Sequence, residues 1–168
     1  DLDSIAREFG VSKLDAMQKL LPGGAIYFMM NESDIERIMT SNNAMIGSDG
    51  LPEDSHPHPR LWGTFPRVLG HYARDRRVMP MHDAVNRMTG LPAENFHLAG
   101  RGMLKPGFFA DVTIFNHDTI IDLATFEKPK QKSLGVEQVI VNGKTAWVDG
   151  KCVGGGQGKV LKRRDGEK

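Results

Sequence analysis

The chain has 168 residues, 22 Lys+Arg against 21 Asp+Glu, 39% hydrophobic residues, 19 Gly, 9 Pro and one Cys. That apolar fraction excludes a wholly disordered polypeptide, and the length suits one ordinary domain or a small domain with an appendage. No run reaches the roughly 18 apolar residues of a membrane span, no signal segment opens the chain, and the lone Cys152 excludes an internal disulfide framework.

A cytoplasmic protein without a membrane partner is therefore expected. Basic residues gather at the end, where Lys159, Lys162, Arg163, Arg164 and Lys168 face only Asp165 and Glu167. A nucleic-acid binder shows its basic face on the folded body, so residues 159–168 read as a solvated basic tail and no nucleic-acid partner is expected. Asp1 opens the chain inside a helix-like segment, as in a processed product or a piece of a larger protein.

In chain order, Ser12 with Asp15 three residues on predicts a helix start, with Leu14, Met17, Leu20 and Leu21 on one face and Pro22-Gly23-Gly24 as its stop. Ala25–Met30 is a continuous apolar run that reads as a strand buried on both faces. A short helix follows from about Ser33, with Ile35, Ile38 and Met39 on one side, and Ala44–Gly47 reads as a second strand ending in Ser48-Asp49-Gly50. Strand, helix, strand with short connections is the pattern of a parallel sheet.

Residues 51–66 hold four of the nine prolines and no usable period, which predicts a long functional loop. A helix is expected from Thr64 as N-cap with Pro66 in its first turn, its face formed by Phe65, Val68, Leu69 and Tyr72. Another is expected over Met81–Thr89, with Gly90 at the position after the cap. Beyond about Gly100 the pattern turns to β: strands at Asp111–Phe115, Val136–Val141 and Lys144–Val148, with Asn142-Gly143 and Asp149-Gly150 as tight turns. The glycine-rich stretch from Gly150 to Gly158 reads as a loose exit.

One aspartate stands out. Asp49 lies in Gly-Ser-Asp-Gly where a parallel strand is expected to run out, the place where catalytic groups of α/β sheets converge. A carboxylate there can take a proton from a water and return it to a leaving group; the residues alone leave a second, commoner reading, an aspartate capping a turn. The loop beyond it reads Asp54-Ser-His56-Pro-His58-Pro-Arg60. His-x-His on an extended segment is a metal-ligand spacing, but no Cys or Glu partner follows at a familiar distance, so His56 and His58 are expected to be hydrogen-bonding loop residues. Arg60, beside a proline in this loop, suits bidentate capture of a carboxylate or is a surface arginine. His71, His82, His97 and His117 are scattered singly, and Cys152 has no neighbouring motif.

The run from Met45 to Arg74, MIGSDGLPEDSHPHPRLWGTFPRVLGHYAR, resembles the C-terminal half of the N-acyl-D-amino-acid deacylases of the amidohydrolase superfamily. The segments GMLKPGFFADVTIF from Gly102 and VIVNG from Val139 are similar to that superfamily's entry into its β-sandwich and to its closing hairpin. The resemblance implies an α/β protein: the C-terminal part of a metal-dependent (β/α)₈ barrel, residues 1–103, followed by the C-terminal strands of a small β-sandwich, residues 104–158. Ala25–Met30 and Ala44–Gly47 would be the last two barrel strands.

The resemblance also implies roles. Asp49 matches the aspartate at the zinc site that shuttles the proton, either ligating the metal or hydrogen-bonding its water. Arg60 matches the arginine that binds the substrate's α-carboxylate. The reaction would be zinc-dependent hydrolysis of N-acyl-D-amino acids, with one or two ions. The family's His-x-His after the first strand and its Cys and His ligands on middle strands have no counterpart here: His56-x-His58 follows a different strand and Cys152 lies in the sandwich. Most ligands are therefore expected outside this segment, in an N-terminal barrel region that would be its partner. Two rivals are a cyclic amidase of the dihydropyrimidinase type, against which the proline-rich Arg60 loop argues, and a non-catalytic scaffold or binding module. If the segment is observed alone, Tyr27, Phe28 and Met45 should need a cover from other chain or partners.

Overall fold

The computed structural model describes residues 1–161, so most of the basic tail lies outside the described residues. The chain separates into two compact units, the first Asp1–Asn31 and the second beginning at Glu32.

In the first unit, α1 (Leu2–Phe9) starts on Asp1, whose carboxylate accepts from the Ser4 N–H at 2.8 Å, and ends at Gly10 in the left-handed conformation. Ser12 starts α2 (Lys13–Lys19) as its sequence signature requires: its hydroxyl accepts from the Asp15 N–H and donates to the Asp15 carboxylate at 2.7 Å. The two helices bury Ala6 and Ala16. The expected strand Ala25–Met30 is not formed. This run belongs to no sheet, and Tyr27 and Phe28 are 77% and 80% exposed. An apolar β-prone run becomes a strand only where a neighbouring strand takes up its N–H and C=O groups, and the described residues supply none beside it.

The second unit opens with α3 (Glu32–Met39), which buries Met39. The expected strand Ala44–Gly47 is also absent. Arg87 takes its place as backbone partner: its guanidinium donates to the Ala44 carbonyl at 2.8 Å, and its own carbonyl accepts from the Ile46 N–H at 3.1 Å. With neither run in a sheet, the expected parallel pattern is not present among the described residues.

The next helix, α4 (Arg60–Arg67), begins four residues before the expected Thr64, whose hydroxyl instead donates back to the Arg60 carbonyl at 2.8 Å. Pro66 therefore sits inside the helix, where it has no N–H to offer the preceding turn. Beyond it the chain widens into a π-helical segment, Val68–Asp75, that buries Val68, Leu69, Tyr72 and Ala73. Phe65, expected on that face, is 44% exposed. After α5 (Met81–Met88) the chain runs through Thr89 straight into α6 (Gly90–Asn95), so Gly90 opens a helix instead of closing one.

The β part follows its sequence closely, except that Lys151–Cys152, expected within a loose exit, pairs with Val148 and Trp147 because the Asp149-Gly150 turn brings the chain back alongside them. Strands β1 (Val112–Phe115), β2 (Val136–Val141), β3 (Lys144–Val148) and β4 (Lys151–Cys152) form one antiparallel sheet in that order. Asn142-Gly143 and Asp149-Gly150 all have positive φ, the conformation a two-residue type I′ hairpin demands. The core joins Met39, Val68, Leu69, Tyr72, Ala73, Met79, Ala84 and Ile120. Ile120, 1% exposed, arrives through a narrow passage: a Cβ on Gly70 would lie 2.1 Å from its carbonyl oxygen, and one on Gly135 2.5 Å from its nitrogen. No described helix is long and apolar enough to cross a membrane.

Candidate active site

Asp49 and Arg60, singled out separately in the sequence, meet. The Asp49 Oδ2 lies 2.8 Å from the Arg60 Nη2. Two local features bring them together. Asp49 has φ 48°, an unusual conformation for a residue with a side chain, which turns the chain sharply. Gly50 then lies against the start of α4, where a Cβ would come within 2.6 Å of the Leu61 Cα; only glycine permits that approach. Ser48 closes the turn by accepting from the Gly50 N–H at 3.3 Å.

The Arg60 end is held by its own loop. Pro57 is fully buried. His58 Nδ1 accepts from the Arg60 N–H at 3.1 Å, and the His58 carbonyl accepts from the Leu61 N–H. The His58 ring stands edge-on to Phe126, centroids 5.1 Å apart, and His56 Nε2 lies 2.6 Å from the Phe126 carbonyl. Burial lowers the proton affinity of His58 below the ordinary histidine value; the nearby Arg60 charge acts in the same direction and Asp49 opposes it. Further along α4, Arg67 pairs with Asp122 at 3.4 Å. The sequence offered no sign of Phe126 or Asp122, because each is some 55 to 70 residues from its partner and carries no motif of its own.

The other candidates stay apart. His71 lies 3.8 Å from Glu32, and His82 and His117 each lie beside the following aspartate. Cys152 is exposed and its thiol contacts the Gly154 carbonyl. Among the described residues no three His, Cys, Asp or Glu side chains come together to hold a metal ion. The donor set thus fails the test for a zinc site, which needs three or four such ligands. Asp49 is 82% exposed at its side chain, so what this chain presents is an open carboxylate and guanidinium pair on a fixed turn.

The α/β fold with a carboxylate on a sharp turn beside an arginine is shared with a known class of proteins. Residues 11–146 match the amidohydrolase family, and the chain belongs to that family. It is 54% identical over 163 residues to a D-aminoacylase of Alcaligenes xylosoxydans xylosoxydans, covering 97% of this chain and 34% of that protein. It is 49% identical over 142 residues to an N-acyl-D-glutamate deacylase of the same organism, covering 84% of this chain and 29% of the relative. Among solved structures, a D-aminoacylase described for its binuclear metal centre superposes with a TM-score of 0.85 at 52% identity, covering 94% of this chain and 33% of that one. An N-acyl-D-glutamate deacylase from Bordetella bronchiseptica, complexed with zinc and a phosphonate mimic of the tetrahedral intermediate, superposes with a TM-score of 0.89 at 47% identity, covering 97% and 34%. The chain spans about a third of the length of these relatives and matches their C-terminal portions.

Proposed function

We propose that this chain is the C-terminal portion of a zinc-dependent N-acyl-D-amino-acid deacylase, supplying its proton-transfer carboxylate, Asp49, and its substrate anchor, Arg60. Residues 1–103 then belong to a (β/α)₈ barrel and residues 104–158 to a β-sandwich. The observation that carries this reading is the 2.8 Å approach of Asp49 to Arg60, in a chain whose relatives act on N-acyl-D-amino acids. A bound substrate needs both groups near each other, because its α-carboxylate is only two bonds from the amide nitrogen.

In the hydrolysis, the water oxygen bonds to the amide carbon and its proton passes to the Asp49 carboxylate. The carbon–nitrogen bond then breaks, the departing nitrogen takes that proton from Asp49, and the second water proton passes from the new carboxyl group to the amine, so that a carboxylate and a protonated D-amino acid are released. Arg60 offers two parallel N–H groups to the α-carboxylate and so fixes where the amide lies. Zinc is assigned to the whole protein. The described residues do not form its shell, and no step above runs through it.

Exposure supports the same reading. Tyr27, Phe28, Met29 and Met30 are each more than two-thirds exposed, and so apolar a run in water calls for further chain to cover it. By itself this chain is expected to be inactive, since its carboxylate stands in open solvent and the described residues form no metal shell around it. The decisive experiment is a substrate panel on the complete protein. N-acetyl-D-amino acids should be hydrolysed and their L-enantiomers and hydantoins left intact. Turnover of hydantoins in preference to the linear D-amides would replace this reading with the cyclic-amidase one.

A further inference from the structure

We propose that His58 is a positioning residue that sets the Arg60 guanidinium for the substrate carboxylate, through the start of α4. The proposal rests on the assignment of Arg60 as substrate anchor. Arg60 is the first residue of α4, and a helix start leaves N–H groups without partners inside the helix. The usual remedy is a capping side chain at the residue before, but here that residue is Pro59, which makes no side-chain cap bond.

His58 fills the gap twice. Its ring Nδ1 accepts from the Arg60 N–H, and its carbonyl accepts from the Leu61 N–H, both at 3.1 Å. The ring itself packs against Phe126 in a T-shaped contact, while His56 reaches the Phe126 carbonyl at 2.6 Å. Two histidines two residues apart thus grip one residue from a distant part of the chain, and the second passes that grip to the backbone of Arg60. The arrangement gives the His56-x-His58 spacing a structural role in the loop, as hydrogen-bonding and ring contacts to Phe126. The lowered proton affinity of His58 is in keeping with it, because Nδ1 accepts only while it carries no proton.

The test compares steady-state kinetics of the complete protein with N-acetyl-D-amino acids for His58→Phe, His58→Asn, Arg60→Ala and the His58→Phe, Arg60→Ala double variant. Phenylalanine keeps a ring against Phe126 and removes the acceptor; asparagine places an amide oxygen close to where Nδ1 was. His58→Phe should raise KM about tenfold with kcat within about twofold, the loss of one positioned hydrogen bond transmitted to a charged contact. His58→Asn should recover most of that KM. In the Arg60→Ala background His58→Phe should add nothing, since residues acting through one contact are not additive.

An unchanged KM in His58→Phe, a failure of His58→Asn to recover, or a full additional KM increase in the double variant would each overturn the proposal. If Arg60→Ala itself leaves KM unchanged, the fault lies with the substrate anchor, and the role of His58 falls with it. A melting temperature measured for each variant separates these outcomes from unfolding.

Discussion

The Asp49 carboxylate and the Arg60 guanidinium form an ion pair at 2.8 Å although neither is buried, Asp49 being 82% and Arg60 41% exposed at the side chain. Such a solvated pair contributes little to stability, about 0–1 kcal/mol. Its geometry comes from the backbone: the positive φ of Asp49, the close approach of Gly50 to Leu61, and the capped start of α4. A contact that stabilises the fold so little, yet is held from both ends, can be broken with little harm to the fold, so its role is open to mutational test.

Asp49→Asn in the complete protein should lower kcat by about 10²–10⁴-fold, the range of a lost general base, with the melting temperature unchanged. Asparagine keeps the size and the tolerance for positive φ but cannot take the proton. Near-normal turnover would remove Asp49 from the mechanism.

Arg60→Ala should raise KM for N-acyl-D-amino acids by about tenfold or more, with a smaller effect on kcat, because a charge-assisted hydrogen bond is worth about 1.5–3 kcal/mol. Arg60→Lys should recover only part of this, as an ammonium cannot bond both carboxylate oxygens in parallel. A loss confined to kcat, with KM unchanged, would assign Arg60 to the reacting bond instead.

Gly70→Ala should destabilise the protein by about 2–4 kcal/mol, read as a fall in melting temperature or in the denaturant midpoint. Its Cβ would meet the Ile120 carbonyl oxygen at 2.1 Å, and that oxygen is main chain, which cannot rotate away. A variant that melts with the parent would mean that the chain around Ile120 passes Gly70 less closely than described.

Arg101→Lys should cost about 1–3 kcal/mol. Arg101 forms an ion pair with Asp111, donates to the Asn142 side chain at 2.8 Å and stacks over Phe109 at 4.3 Å, so it ties the segment before β1 to the β2–β3 turn. Lysine reaches one of these partners at a time. Equal denaturation midpoints for the two proteins would show that the three contacts do not act together.

Asp75 gives a pH signature. The hydrogen bond from Arg74 holds its carboxyl below the ordinary aspartate value, and the same arginine donates to the Ile120 carbonyl at 2.8 Å. A carboxyl with a depressed folded pKa contributes stability above its unfolded value and loses it as the pH falls through the folded one. The melting advantage of the parent over Asp75→Asn should therefore be present at neutral pH and vanish on acidification below about pH 4. An advantage independent of pH would contradict this.

The β part was legible almost residue by residue. Asn142-Gly143 and Asp149-Gly150 demand left-handed backbone, and that demand sets the turns and the first pairs of β2 and β3; the register shift at Val139/Ile140 left no mark in the sequence. The Ser12 start of α2 was legible for the same reason, since cap and helix are three residues apart. Asp49 and Arg60 were each visible as candidates, but their meeting was not. Thr64 looked like an N-cap because Pro66, two residues on, suits a first helical turn; the packing of Gly50 on Leu61 and the His58 cap moved the start to Arg60.

Ala25–Met30 and Ala44–Gly47 have the same strand-like composition, and neither forms a strand among the described residues. Their composition specifies burial and β-prone backbone, whereas a strand also needs a neighbour's hydrogen bonds. The second run finds Arg87 instead, and the first remains exposed. Local chemistry, acting over two to four residues, was therefore written in the sequence: caps, hairpin turns, the placing of an aspartate between glycines and an arginine after a proline. Only the tertiary structure decided which distant groups meet, Asp49 with Arg60, the two loop histidines with Phe126, and Ile120 between two glycines, because those contacts depend on how elements pack and leave no mark on the residues near each one in the chain.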